Sequence, residues 1–184
     1  MAVSMKLSPE GTDFLKRQEG AIQNTQKIHI PYFDVAAFRT VGYGHKLTPS
    51  EVSSGKIILF DQNNIKEVIR FNDGITEEQA TRILQKDVGY SEYCVNRDIA
   101  IPLKQNEFDA LVSLVFNIGT NAFRTSTLRK VVNTAPENNP DEYARAVEFQ
   151  FKRWTYAGGR IVPGLVTRRG REARLFTMGK YTTG

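Results

Sequence analysis

The sequence predicts an α+β fold, with a small sheet lobe over residues about 20–75 and a larger helical lobe made of residues 1–19 and 76–184. Three observations predict it. Ile28 to Leu47 is rich in aromatic and β-branched residues and holds glycines at 42 and 44, the composition of short strands and turns. After Gly74, apolar residues recur at helical spacing in one segment after another. No repeat, low-complexity tract or linker interrupts the 184 residues, which suit one domain with a cleft between its two lobes, a usual place for a ligand.

Each element has a local reason. Ser8 is a helix N-cap with Pro9 at the first helical position, and Gly20 is a natural stop, so the first helix runs from Pro9 to Glu19. Asp34-Val-Ala-Ala is a workable hairpin connection inside a two- or three-stranded sheet. Lys56 to Phe60 adds a strand, although Ile57-Ile58-Leu59 by itself suits either state. Thr76 and Gln79 form a capping-box pattern that opens a long helix through Ala80, Ile83, Leu84, Asp87 and Val88. Asn106 caps the next helix, whose Phe108, Leu111, Val112, Val115 and Phe116 make one apolar stripe closed by Gly119. Thr125 or Ser126 starts a further helix through Val131, and the breakers Pro136 and Pro140 mark a loop. A helix from Pro140 through Trp154 ends at Gly158-Gly159, and a basic helix spans Val166 to Phe176.

Bulk properties exclude several classes. No apolar run approaches the roughly 20 residues of a membrane span, and the first residues lack the apolar core of a secretory signal. Cytosolic synthesis is therefore expected. Cys94 is the single cysteine and His29 and His45 are the two histidines, so neither an internal disulfide nor a metal centre is expected, and no cofactor. Net charge is +5, and from Phe151 onward eight Lys/Arg face one acid, Glu172. Such an excess favours a polyanion, either nucleic acid, anionic lipid or a wall polymer, or else it is a solvated helix face. No nucleic-acid-binding motif accompanies it.

Two carboxylates and a hydroxyl carry the chemical argument. Glu19 ends the first helix, where the partial negative charge of the helix terminus disfavours an ionised carboxyl, and a general acid must hold its proton. Asp34 follows fifteen residues later, on the hairpin, and Thr40 six residues after that. Two carboxylates from different elements are what glycosidic bond hydrolysis uses, and Thr40 adds a hydrogen-bonding group for a water. Each also has an ordinary structural reading: a surface Glu at a helix end, a turn-forming Asp, a good strand Thr. Gly42 and Gly44 flank Tyr43 and permit close backbone approach of a polymer. His45 reads as a structural partner, since nothing marks a Ser or Cys nucleophile for it to activate. Asn117 is a polar residue at the end of an apolar helix.

Taken together these residues resemble the phage-type lysozymes, glycoside hydrolase family 24. The resemblance is carried by Glu19-Gly20, Tyr32-Phe33-Asp34, Thr40-Val-Gly-Tyr-Gly-His45, Val115-Phe-Asn-Ile-Gly119, Phe123 to Leu128, Trp154 to Gly159, Pro163 to Arg169, Glu172 and Leu175-Phe176, in order over nearly the whole chain. It implies a lysozyme-like fold and a catalytic set of Glu19, Asp34 and Thr40. The reaction it implies is hydrolysis of the β-1,4 bond between N-acetylmuramic acid and N-acetylglucosamine in peptidoglycan, with inversion. It further implies that Phe116, Asn117 and Thr127 line the glycan cleft, with Tyr43 as another substrate contact, and that His45 pairs with Asp87. The stretch Ala21 to Pro31 is longer than in compact members of the family, and polar, so that it lengthens the hairpin or forms a lip.

The expected role is that of an endolysin, a monomer made in the host cytoplasm and released to the periplasm and wall with a holin. Its basic C-terminal region would adsorb to anionic wall or outer-membrane phosphates, without binding nucleic acid. Two other readings stay open: a lytic transglycosylase on a similar fold, and a catalytically silent wall-binding or virion module.

Overall fold

A computed structural model describes residues 4–34, 36–61, 63–134 and 139–182. The loop expected around Pro136 lies outside the described residues, as does Val35 of the hairpin connection. The chain groups into two compact units, Lys16–Asp87 on one hand and Met1–Leu15 with Val88–Gly184 on the other. The division falls inside two helices, α1 (Pro9–Glu19) and α3 (Glu77–Asp98).

The smaller unit is built on strands. β1 (Tyr32–Phe33), β2 (Arg39–Val41) and β3 (His45–Lys46) form an antiparallel sheet, with Tyr32 opposite Thr40 and Val41 opposite His45. A short helix α2 (Pro49–Ser54) follows, closed at its start by a reciprocal Thr48–Glu51 capping box. β4 (Lys56–Phe60) then pairs antiparallel with β5 (Lys66–Arg70). Alternation along this second hairpin sends Ile57, Leu59 and Ile69 inward, where they join Val41, Leu47, Phe71, Ile75, Ala80 and Ile83 in one core. α3 starts as the sequence indicates: Thr76 Oγ1 accepts the Gln79 amide at 3.2 Å, and Gln79 Oε1 accepts the Thr76 amide at 3.0 Å.

The long Ala21–Pro31 stretch is a small hairpin of its own. The Asn24 side chain accepts the amides of Gln26 and Ile28 at 2.9 and 3.0 Å, a turn that places Lys27 at φ 60°. His29 bridges to Gln23 on one side and to Ile75 on the other, exchanging both backbone hydrogen bonds with Ile75 at 2.9 Å. Gly74 leaves room for Ile28 there, because a Cβ at position 74 would stand 2.4 Å from Ile28 Cγ2.

The larger unit is helical: α4 (Gln105–Ile118), α5 (Thr120–Thr125), α6 (Thr127–Val132), α7 (Pro140–Lys152) and α8 (Pro163–Met178). α4 is not the one-sided amphipathic helix its spacing suggests, because residues 108 to 115 are all buried, and a helix buried all round belongs at a core centre. Its N-cap is Lys104 rather than Asn106. The Asn106 amide instead donates to the carbonyls of Leu175 and Phe176, both at 2.9 Å, and satisfies the end of α8. Ser126 caps α6 by accepting the Arg129 amide at 3.0 Å. α7 stops at Lys152, earlier than expected, and Gly158-Gly159 serves instead as the turn of a further hairpin, β6 (Tyr156–Ala157) with β7 (Arg160–Ile161).

The basic C-terminal helix differs from its sequence-based reading in one important respect. Arg168 and Arg169 are buried around Glu172, which is itself fully buried. Arg168 Nε lies 3.1 Å from Glu172 Oε1, Arg169 Nη1 donates to Glu172 Oε2, and the Ser113 hydroxyl donates to Oε1 at 2.7 Å. Two of the cations counted as surface charge are therefore core residues.

Candidate active site

The first hairpin sets the geometry. Asp34 extends the β1–β2 pairing by one step, its amide donating to the Phe38 carbonyl at 2.9 Å. Its Oδ1 accepts the amides of Ala36 at 2.9 Å and Phe38 at 2.8 Å, so the ionised side chain builds the turn it stands on. The Phe38 amide above all, with the Ala36 amide and the Lys46 ammonium 3.3 Å from Oδ2, holds this carboxyl below its ordinary range against a smaller opposing effect of burial. Asp34 is thus a carboxylate in neutral solution, with Oδ2 outside the turn. Because Tyr32 lies opposite Thr40 and Asp34 continues the same alternation, Tyr32, Asp34 and Thr40 share one face. Thr40 is buried, and its hydroxyl donates to the Phe38 carbonyl at 3.0 Å, which leaves its oxygen free to accept.

Glu19 approaches this hairpin from α1. The helix ends at Gly20, at φ 65°, whose amide returns to the Lys16 carbonyl at 2.9 Å. The β2–β3 loop, Gly42-Tyr43-Gly44, carries both glycines at positive φ. A Cβ at position 44 would stand 3.8 Å from Glu19 Oε2, so the loop backbone passes directly by this carboxylate. Tyr32 links the two acids: burial, and then the charges of Asp34 and Glu19, push its phenol above the ordinary value.

Sequence reasoning missed Glu77, which stands between the capping residues Thr76 and Gln79. Glu77 accepts the Tyr43 hydroxyl at 2.8 and 2.9 Å, meets Lys16 Nζ at 3.1 Å and lies 2.8 Å from Nε2 of the buried His29. Burial opposes the charge, but the bonds from His29, Tyr43 and Lys16 prevail and bring the carboxyl down to about 2. The His29 and Tyr43 rings meet edge-on with centroids 5.0 Å apart, and Lys16 Nζ lies 5.6 Å from the Tyr43 centroid. Glu77 thereby ties the last turn of α1, which carries Glu19, to the glycine-flanked loop. Tyr32 and Tyr43 were visible in the motif, but the partner of Tyr43 was not, because 34 residues separate the two.

His45 Nδ1 lies 2.8 Å from Asp87 Oδ2, and its Nε2 lies 3.4 Å from Glu51 Oε2. Burial by itself would lower the imidazole, but Asp87 and Glu51 outweigh it and raise it above its ordinary value. A histidine raised on folding contributes stability that is complete below its unfolded value and is lost as pH rises through the folded one. Asp87→Asn should therefore cost on the order of 1–3 kcal/mol in mildly acidic buffer and much less at alkaline pH. Thermal unfolding of both proteins across that range checks it; a cost that does not vary with pH would remove the charged pair from the account.

Three of the expected site residues belong to the larger unit. Phe116 is half-buried and Asn117 exposed at the end of α4, where Asn117 Oδ1 accepts from Arg169 Nη2. Thr127 is exposed and lines a cavity of about 470 Å³ with Thr125, Gln150, Arg153 and Trp154. An indole, hydroxyls and an amide are groups that bind sugars by stacking and hydrogen bonding.

Two carboxylates and a hydroxyl gathered around one hairpin of an α+β chain are the groups that glycosidic bond hydrolysis uses. A family model described as phage lysozyme matches residues 26–172, a span that includes Asp34 and Thr40 and begins after Glu19. The chain is 34% identical over 177 residues to an endolysin of Acyrthosiphon pisum secondary endosymbiont phage 1, covering 94% of this chain and 98% of that one. It is similar in structure to an endolysin from Escherichia coli O157:H7 phage FAHEc1, with a TM-score of 0.72, 29% identity and 99% of each chain covered. It is also similar to the muramidase domain of SpmX from Asticaccaulis excentricus, with a TM-score of 0.66, 27% identity, and 93% of this chain and 97% of that one covered. The chain belongs to the phage lysozyme family.

Proposed function

We propose that this protein is a phage endolysin that hydrolyses the β-1,4 bond between N-acetylmuramic acid and N-acetylglucosamine in peptidoglycan, with inversion at the anomeric carbon. Glu19 protonates the leaving oxygen. Asp34 and Thr40 hold a water on the opposite face of the sugar, Asp34 taking its proton as the water attacks. The observation that carries this reading is the shared face of Asp34 and Thr40, with Asp34 held ionised by backbone amides. A transglycosylase, which closes an anhydro ring with one acid, has no use for that pair. Phe116, Asn117, Thr127 and Tyr43 are the proposed glycan contacts. In this reading the enzyme works as a monomer, is made in the host cytoplasm and reaches the periplasm and wall through a holin. Any adsorption to wall or outer-membrane phosphates through the C-terminal region falls to the exposed Lys152, Arg153, Arg160, Arg174 and Lys180, not to the buried Arg168 and Arg169.

Digestion of purified peptidoglycan tests the reaction. Reducing muramic acid ends that appear first as the α anomer are the expected result. Anhydromuramic ends would replace hydrolysis with transglycosylation, and β anomers would replace inversion with retention.

A further inference from the structure

The β4–β5 hairpin carries a feature that glycan hydrolysis does not use. Its inner face belongs to the core, and its outer face is not a polar one. Ile58 stands opposite Val68, and the two are 40% and 45% exposed. Two pairs further along, on the same face, Phe60 is 60% exposed opposite Lys66, and Ile65 at the tip is 64% exposed. In the other direction Lys56 stands directly opposite Arg70, and both are exposed. Like charges directly opposite one another on a sheet are destabilising, and the pairing persists here beside an open apolar row. The Lys86 ammonium adds a further cation, 3.5 Å from the Ile58 carbonyl. The nearby acids offset little of this charge: Asp61, whose Oδ1 accepts the turn amides of Asn63 and Ile65 at 2.9 and 2.7 Å, sets one negative charge against four cations, and Glu67, opposite Leu59, pairs with Arg82 at 2.5 Å.

We propose that this face docks on a bilayer containing anionic phospholipid, with Phe60, Ile65, Ile58 and Val68 entering the interface and Lys56, Lys66, Arg70 and Lys86 meeting the headgroup phosphates. Charge complementarity and side-chain chemistry together select this occupant. Lysines on exposed strands guard against edge pairing, which accounts for Lys56 and Lys66 but not for the apolar row beside them. Only Phe60 of the four offers a sugar a stacking face, and none offers a hydrogen bond, so the row is ill suited to glycan. Apolar side chains ringed by Lys and Arg gain from both the hydrocarbon boundary and the negative surface potential of such a membrane. Docking would hold the enzyme at the membrane surface and so concentrate it in the narrow space beneath the wall.

The test uses the full chain with vesicles of phosphatidylcholine, alone or mixed with phosphatidylglycerol, read by co-sedimentation. Two double variants alter the hairpin, Phe60→Ser with Ile65→Ser and Lys56→Glu with Arg70→Glu; a third, Lys130→Glu with Arg145→Glu, alters exposed charge elsewhere. The expected result is binding to the mixed vesicles, weakened by about tenfold or more in each hairpin variant and changed by less than about twofold in the third. Circular dichroism and cleavage of soluble glycan fragments should be unchanged in all three. Absence of binding by the parent chain would overturn the proposal, as would equal binding to phosphatidylcholine alone, hairpin variants that bind like the parent, or a third variant that loses as much. Concentration-dependent dimers that vanish in the Phe60→Ser, Ile65→Ser variant would assign the face to a second copy instead.

Discussion

Glu19→Gln should yield a folded protein whose wall-clearing rate is lower by at least about 10²–10⁴-fold. The amide keeps the size of the carboxyl and its place beside the Gly42-Tyr43-Gly44 loop, and Lys16, Tyr43 and Glu77 still tie the end of α1 to that loop. What is lost is the proton for the departing sugar oxygen, without which the leaving group is a poor alkoxide. Binding should survive, so the loss should fall on kcat with KM little changed. Clearing of outer-membrane-permeabilised cells, with circular dichroism and a melting curve as the fold check, decides it. An active Glu19→Gln protein would sink the mechanism, whereas an unfolded one would send the test to Glu19→Asp, which keeps the carboxyl group and shortens its reach.

The largest stability loss is expected from Glu172→Gln. The carboxylate is fully buried and is shared by Arg168, Arg169 and the Ser113 hydroxyl. Its removal leaves two buried guanidinium groups deprived of the anion they share, a change that typically costs about 3–5 kcal/mol. For a protein of this length that corresponds to a melting point lower by roughly 6–20 °C. Replacing the whole set with apolar side chains of similar volume should cost far less, because a buried ion pair is expensive to break but adds little net stability over well-packed hydrocarbon. Urea or thermal unfolding of Glu172→Gln checks the first statement. A shift of only a degree or two would show that the arginines regain solvent. Arg169 also donates to Asn117 and to the Trp154 carbonyl, the latter at 3.0 Å, so the same substitution should loosen the end of α4.

The parts of the fold that were legible were those governed by local chemistry. Ser8-Pro9 and Gly20 bound α1, Thr76 and Gln79 open α3, and Ser126 opens α6, because capping depends on residues within one turn. What escaped were effects set by distant partners. The apolar residues of α4, recurring at helical spacing, resembled a stripe, but the packing of α8 and its neighbours covers the remaining faces. The charges of Arg168 and Arg169 were counted correctly and located wrongly, since burial is decided by Glu172, one turn on along the same helix face, and by Ser113, 59 residues away from Glu172. In the site itself, Glu19, Asp34, Thr40 and the glycines announce themselves by type and order. Glu77 does not, because its role is defined by Lys16, His29 and Tyr43, each far from it in sequence.

The Ala21–Pro31 hairpin has a consequence for how this chain can change. Its strands are held to each other through Gln23 and His29, and His29 is paired in turn with Ile75. Residues added at the Asn24–Lys27 turn would therefore extend a loop whose ends are already fixed, and the entropic cost of a longer loop grows only slowly with its length. Insertions and deletions there should be tolerated by the fold and ignored by the chemistry. The number of residues between Glu19 and Asp34 is thus free to drift, and the turn between them becomes a natural graft point for foreign sequence.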